Sequence, residues 1–322
     1  NSVKYNLAPS VGLMNDRKGS MSTGINAGNI RYYGASPNNY IYFNCSDYSN
    51  QSSSTCELWR IIGVFDGKVK LMRNDSIGTM EYDNNNEDTY LSSISYDNEK
   101  TILSPLIYDV DGKNKANQLV IEIGGGNGEN DYSKSSLQKI LNNYYYNSLK
   151  YTGRSTYDFT STGIKNDTTR NIIANITYNL GGHNSTEVYS NQMYTYERGT
   201  TIYSGNATTW TGKIALPYPS DYGYATDLEK CNKTLSNYND SNCTANNWMK
   251  TIFETYNYHW LLTSNSDRSG SVTTVSSTGT ISNNLYDATT KLATRPVLYL
   301  DSKLIIQKGT GSSTEPYQLS LS

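Results

Sequence analysis

Apolar positions in this chain gather in short runs separated by long polar stretches. Glu57–Phe65 (ELWRIIGVF) is mostly apolar, and residues 69–73 resume the pattern after Asp66-Gly67. That dipeptide is a two-residue hairpin signal, because it supplies the positive φ angles such a turn needs. Tyr40–Phe43 and residues 213–217, 259–263 and 295–300 predict further strands. Helical periodicity appears where Leu137, Ile140, Leu141, Tyr144 and Tyr145 recur at i, i+3, i+4, i+7 and i+8, predicting an amphipathic helix over 135–149. Residues 167–178 predict a second, with Asp167 or Thr168 at the N-cap and Ile172, Ile173 and Ile176 inward. Pro219-Ser220-Asp221 starts a short helical turn ending near Ala225, and 244–253 predicts another helix capped by Thr244. The elements intermix without a βαβ rhythm or a fixed-period repeat. The expected class is α+β, mainly antiparallel sheets with a few short helices and long loops.

Residues 1–38 hold few periodic apolar positions and are expected to form an extended arm or linker. The remainder, 39–322, is expected to be one domain with polar insertions at about 76–133, including Gly124-Gly125-Gly126, and at 184–212. The most informative stretch lies between the strands at 259–263 and 295–300. Residues 264–294 are almost wholly Ser, Thr, Asn, Asp, Gly and Ala, with single apolar residues. Val272, Val275, Ile281, Leu285, Ala288 and Leu292 are expected to face inward as anchors. Thr273, Thr274, Ser276, Ser277, Thr280, Ser282, Asn283, Asn284, Tyr286, Asp287, Thr289 and Thr290 are expected to form one exposed, ligand-facing surface. Two apolar strands bracketing a polar loop suit recognition better than chemistry, since binding residues sit on loops held by a rigid frame.

Composition narrows the class. The 322 residues carry 27 basic and 29 acidic side chains without a basic stripe, which argues against nucleic-acid binding. No apolar run approaches the ~18 residues of a spanning helix, so no membrane contact is expected of these residues. The chain begins at Asn1 rather than Met, and a signal or anchor is expected upstream. Tyr outnumbers Phe by 30 to 4; paratopes favour Tyr, but an AT-rich genome inflates Tyr and Asn together, and most of the excess is read that way. The four cysteines form two tight pairs, Cys45 with Cys56 and Cys231 with Cys243, each flanking a polar loop. Four cysteines allow three connectivities, of which the spacing favours the two local ones. The short C-x2–4-C of a zinc site is missing, so disulfides are expected, and with them an oxidising, extracytoplasmic compartment.

Candidate chemistry is sparse. His183 and His259 are the only histidines, and His259 beside Trp260 is expected to be a satisfied core residue. No zincin, nucleophile-elbow or phosphate-loop pattern occurs. Asp109-Val110-Asp111-Gly112 is half a calcium loop without the later Glu, and residues 83–88 form an acidic turn; both are expected to be surface turns. No catalytic residue, metal site or cofactor is assigned, although two of the 29 acids could converge as a glycosidase pair.

Four motifs recur in order: Leu58-Trp59-Arg60-Ile61-Ile62-Gly63-Val64-Phe65, then Ile214-Ala215-Leu216-Pro217-Tyr218-Pro219-Ser220-Asp221-Tyr222-Gly223-Tyr224-Ala225, then Trp260-Leu261-Leu262-Thr263, then Arg295-Pro296-Val297-Leu298-Tyr299-Leu300. In these the chain resembles Tyr/Asn-rich surface proteins of low-GC Gram-positive gut bacteria, some of them pilin-type with an N-terminal anchoring helix. The Leu-Pro-x-Pro-Ser-Asp-x-Gly-Tyr-Ala run also looks like the strand-to-helix corner of the formylglycine-generating-enzyme type of C-type-lectin fold. Variable proteins of diversity-generating retroelements use that fold. The resemblance covers roughly residues 30–320 and implies a C-type-lectin-like domain whose hypervariable segment is 264–294. From 264 to 290 there is no Lys, Glu, Gln, Met or Trp, as adenine-directed mutagenesis requires, though 22–50 lacks them too. Lys291, and Ser264 where a Pro commonly follows the Thr, depart from the pattern. The resemblance implies a bacterial surface module binding a protein or glycan on another cell, phage or host. Its alternatives are a pilin-like subunit assembling with its own copies and, more distantly, a carbohydrate-active or formylglycine-generating-type enzyme. The cysteines and metal ligands such enzymes carry near the C-terminal strands do not occur after Cys243.

Overall fold

The computed structural model describes residues 12–15, 29–84, 128–153, 155–301 and 305–320. Its larger sheet has seven strands in the order β1-β2-β4-β5-β16-β11, with β3 on the same edge of β4 as β2. These are β1 (Leu13–Asn15), β2 (Ile30–Tyr32), β3 (Tyr40–Phe43), β4 (Glu57–Phe65), β5 (Lys68–Arg73), β11 (Ile214–Ala215) and β16 (Val297–Leu300). All pairings in it are antiparallel. The hairpin turn sits at Asp66 and Gly67, both at positive φ (48° and 76°). Gly63 is needed where β2 crosses β4, because a Cβ there would lie 2.1 Å from the Ile30 carbonyl oxygen.

A five-stranded sheet runs β14-β13-β12-β15-β6. Its strands are β6 (Thr79–Glu81), β12 (Tyr258–Ser264), β13 (Val272–Ser276), β14 (Ile281–Ser282) and β15 (Lys291–Ala293). The one parallel contact is His259 beside Ala293. Two-stranded ribbons complete the set: β7 (Lys150–Thr152) with β8 (Thr156–Asp158), β9 (Ile176–Asn179) with β10 (Thr209–Gly212), and β17 (Ile305–Lys308) with β18 (Gln318–Ser320). The helices are short: α1 (Ser136–Lys139, continuing as a π-helical turn Ile140–Tyr145), α2 (Asp167–Ile172), α3 (Ser190–Glu197), α4 (Pro219–Tyr224), α5 (Ser241–Thr244) and α6 (Trp248–Phe253). The α+β, mainly antiparallel architecture expected from the sequence is present.

Trp59, Leu216, Trp260, Val297 and Tyr299 share one core, as their motifs predict. The chain passes from the smaller sheet to the larger at Thr294-Arg295-Pro296. There buried Arg295 donates from Nη2 to the Ile252 carbonyl (2.6 Å) and from Nη1 to the Asn74 carbonyl. It thus ties the end of β5 to α6. Trp260 Nε1 donates to the Met80 carbonyl (2.8 Å), fixing β12 to β6.

Several boundaries differ from expectation for local reasons. Asn166, not Asp167 or Thr168, caps α2, accepting from the Thr169 amide. The helix ends at Ile172 because Ile173 turns extended (ψ 114°), and Ile176 then enters β9. The helix expected over 244–253 starts only at Trp248, because Asn247 caps α6 through the amides of Met249 and Lys250; Thr244, expected as its cap, instead ends α5, which Asp240 caps. Part of the expected arm, Ile30–Tyr32, lies in the larger sheet. The stretch 184–212 carries α3 and β10, with Met193 in the core. Gly124-Gly125-Gly126, Asp109-Val110-Asp111-Gly112 and most of 76–133 lie outside the described residues.

Both expected cystine bridges are formed, Cys45–Cys56 and Cys231–Cys243. They fit an oxidising, extracellular or secretory setting. Among the described residues no helix is long and apolar enough to cross a membrane. Closing loops of 11 and 12 residues is worth about 3 kcal/mol each in the chain-entropy account. Urea unfolding with and without reductant should therefore show a drop of that order per bridge. An unchanged midpoint would mean that the bridges are mechanically idle.

Candidate functional site

The polar segment 264–294 is held by a chain of buried amides. The Asn130 side chain donates to the carbonyls of Asn265 and Ser271 (both 2.8 Å). Asn265 donates to the Asn283 carbonyl (2.9 Å), and Asn283 to the His183 carbonyl (2.7 Å). Ser264 Oγ donates to the Asn130 carbonyl. Buried amides of this kind fix a loop because leaving any one unpaired costs ~1–3 kcal/mol. Val272, Val275, Ile281, Ala288 and Leu292 are inward as expected, but Leu285 is 52% exposed.

The single exposed face is only partly formed. Thr273, Thr274, Ser276 and Asn283 are buried. Thr273 and Thr274 lie on β13, which is flanked by β12 and β14 and covered on both faces. Ser276 closes the turn to β14 by accepting from the Thr280 amide (3.1 Å), and Asn283 belongs to the amide chain. Asn284 and Asp287 are exposed, while Ser277, Thr280, Ser282, Tyr286, Thr289 and Thr290 are half-buried. Ser277 and Thr280 sit at the β13–β14 turn. Asn284, Leu285, Tyr286 and Asp287 form a separate loop, joined to the exposed 267–269 turn through the Ser271–Asp287 bridge. Tyr286 packs edge-on against Tyr258, ring centroids 4.6 Å apart, so the loop carries a rigid aromatic pair beside an exposed leucine.

A second location was not singled out by sequence. The Pro-Ser-Asp motif starts α4, with Pro219 in the first turn and Asp221 accepting from the Tyr218 amide (2.9 Å). Asp221 is buried and pairs with two buried cations: Arg31 of β2, at 3.3 Å, and Lys70 of β5. Burial opposes its ionisation, but Lys70 and Arg31 outweigh that and hold its carboxyl below the usual range. Burial pulls Lys70 down to about 8 against the pull of Asp221, so both partners stay charged at neutral pH. Beside them Glu197, fully buried at the end of α3, accepts from the Ser220 amide (2.8 Å), the Ser220 hydroxyl and Arg198 Nη1 (3.0 Å). Burial raises Glu197 to about 7.

Above this cluster opens a cleft of about 350 Å3. Its walls are Phe65, Tyr178, Tyr194, Tyr218 and Tyr299, with Arg198, and its rim is Asn29, Asp66, Lys68, Asn175, Thr177 and Asn179. Lys70 lies behind Phe65, Tyr218 and Tyr299, 4.5–5.4 Å from their ring centroids. Arg31 lies 4.6 Å from Phe65 and 5.3 Å from Tyr194. The motif residues Tyr218 and Tyr299 thus line the cleft, while Ser220 and Asp221 hold the ion pairs behind it. The sequence signal for it was a lone acid in an apolar helix start and a lone lysine between Val69 and Leu71.

The remaining candidates have structural partners. His259 is buried with Nε2 3.1 Å from the Phe253 carbonyl. His183 stacks on Tyr196 (4.0 Å) and accepts from the Ser185 amide. Asp83 accepts from the amides of Glu129 (2.9 Å) and Ser136 (3.0 Å), fixing the start of α1. Among the described residues no three His, Cys, Asp or Glu converge as a metal site. The chain matches no protein-family model, no curated protein and no solved structure.

Proposed function

We propose that this chain is an extracellular ligand-binding module displayed on a bacterial surface, with a C-type-lectin-like fold and a binding face drawn from 264–294. In this reading it is a target protein of the diversity-generating-retroelement type, recognising a protein or glycan on another cell, phage or host. The supporting observation is the division of labour in that segment. Buried amides and Val272, Val275 and Ile281 fix its backbone, while Asn284, Leu285 and Asp287 lie exposed around the half-buried Tyr286. Tyr286 on Tyr258 supplies a rigid aromatic anchor of the kind that dominates binding energy.

Replacing Asn284, Leu285, Tyr286, Asp287 and Thr289 together with Ala should abolish capture of the ligand found on a glycan and protein array. The fold should survive: the exposed Asn284, Leu285 and Asp287 cost less than about 0.5 kcal/mol each, and the half-buried Tyr286 and Thr289 about 1 kcal/mol each. Collapse of the fold, or undiminished capture, would overturn the assignment of the face. A reverse-transcriptase gene near a near-duplicate of the coding region for 264–294 would support the retroelement origin.

One observation favours a second reading, a pilin-like structural subunit. Ile305 and Ile306 on β17 are 59% and 49% exposed, on a two-stranded ribbon. An exposed apolar edge strand is a template for pairing with another chain. Sedimentation of wild type against Ile306→Lys separates the readings, because only a subunit that assembles through this strand loses higher-order species in the variant.

A further inference from the structure

We propose that the cleft over the Asp221 cluster is a second binding site, taking one acidic sugar ring with its carboxylate on Arg198 and the Tyr299 hydroxyl. The inference goes beyond the display reading and does not depend on it.

The donors are placed and unspent. Arg198 uses only Nη1 within the protein, bonding the Glu197 carboxylate (3.0 Å) and the Tyr194 carbonyl (3.2 Å). Its Nε and Nη2 make no hydrogen bond among the described residues, and its side chain is a quarter exposed. The guanidinium is held 3.3 Å from the Tyr194 ring centroid, so its free edge is oriented before any ligand arrives. Tyr299, only 6% exposed, lines the same cleft, and its hydroxyl has no partner among the described residues. A preorganised guanidinium edge is the standard partner of a carboxylate, and charge assistance makes such bonds about twice as strong as neutral ones.

The charge balance agrees. Arg198 pairs with Glu197 and Lys70 with Asp221, and burial raises Glu197 to about 7, which weakens its hold on Arg198 at neutral pH. The free edge of Arg198 is therefore only partly neutralised, in a place with little water to screen it, which favours an anion. The walls decide what else the anion carries. Edges of four tyrosines and Phe65 offer apolar contact, whereas Asn175, Thr177 and Asn179 line the rim with amides and a hydroxyl. That mixture suits a hydroxyl-bearing ring rather than a bare inorganic anion. The volume, about 350 Å3, lies at the small end of the ~300–1,000 Å3 typical of ligand clefts, enough for one ring with its substituents.

The experiment is calorimetric or NMR titration of the full chain with glucuronate, with glucose and with inorganic phosphate. Saturable binding of glucuronate is expected, with glucose and phosphate each at least about tenfold weaker. Arg198→Gln should weaken glucuronate about tenfold or more, and Tyr299→Phe about threefold to tenfold. Because Arg198 also pairs with Glu197, circular dichroism accompanies that variant, and Tyr299→Phe decides the matter should Arg198→Gln unfold. Equal affinity for glucose and glucuronate, stronger binding of phosphate, no saturable binding at all, or glucuronate binding indifferent to Tyr299→Phe would each overturn the proposal. The variant of the 284–289 loop should leave glucuronate binding unchanged. Loss of binding there would move the site to the display face and refute the cleft, while failure of array capture alone would touch only the display reading.

Discussion

Replacing Asp221 with Asn is expected to lower the stability of the fold by about 3–5 kcal/mol, the usual cost of removing one partner from a buried ion pair. The amide keeps the shape and still accepts from the Tyr218 amide, so the loss isolates the charge. It leaves Arg31 and Lys70 buried, both about 1% exposed or less, with no carboxylate between them. Lys70 has one escape: it can shed its proton. From an ordinary value of 10.5, neutralising it at pH 7 costs roughly 5 kcal/mol at 1.36 kcal/mol per unit, which sets a ceiling on the lysine's share, whereas Arg31 has no such escape. The cost of that escape shrinks as pH rises. The gap between wild type and Asp221→Asn in urea unfolding should therefore be smaller at pH 9 than at pH 7. Adding Lys70→Met to Asp221→Asn should recover part of the loss, since neighbours in one network are not additive. A loss under about 1 kcal/mol, or one that grows with pH, would show that the triad is not the lock of the fold.

That triad also shows where sequence reasoning stops. The hairpin was legible because Asp66-Gly67 is a local signal, and the bridges because each cysteine pair closes a short loop. The shared core was legible because Trp59, Trp260 and Val297 sit in runs that are apolar whatever their partners. The error at 167–178 came from a real pattern: Ile172, Ile173 and Ile176 have helical spacing, but pairing of β9 with β10 outweighed propensity. The error on the display face has a different origin. Alternation places Thr273 and Thr274 on opposite faces of β13, and reading either as outward assumes a strand wet on one side. Here both are enclosed, and short hydroxyls are cheap enough to bury that composition gives no warning. Asn130, Arg31 and Glu197 were invisible for a third reason. Apart from the neighbouring Arg198 that Glu197 also meets, their partners lie at least 23 positions away, Glu197 on Ser220 being the nearest, so no local window contains their role.

Acid should destabilise the fold through His259, by up to roughly 5 kcal/mol between pH 6.5 and 3. The imidazole is fully buried between Phe253 (ring centroids 4.6 Å) and Tyr256 (5.7 Å). Since a carbonyl can only accept, Nε2 carries the proton and donates to Phe253, leaving Nδ1 bare and without a partner among the described residues. Protonating Nδ1 would place a charge there with nothing to accept its hydrogen. Burial, and then the nearby Arg295, push the pKa from 6.5 down to about 3. The native state thus prefers the neutral ring. Its contribution is complete above pH 6.5, where the unfolded ring is also neutral, and is lost as pH falls toward 3. Glu197 and Asp83, raised to about 7 and about 6, act in the opposite sense, because a buried acid gains from being protonated as pH falls. The wild-type profile is therefore a sum of opposing slopes, and the informative quantity is its difference from His259→Gln, which keeps a donor for Phe253 but does not titrate. Wild type should be the more stable at pH 7.5, and the gap should close or reverse by pH 4. Parallel profiles across that range would show that the ring protonates without cost. Because His259 stands beside Ala293 where β12 meets β15, the same titration should loosen the base of the 264–294 segment before the larger sheet, read as earlier amide exchange in β13 than in β4 at pH 4.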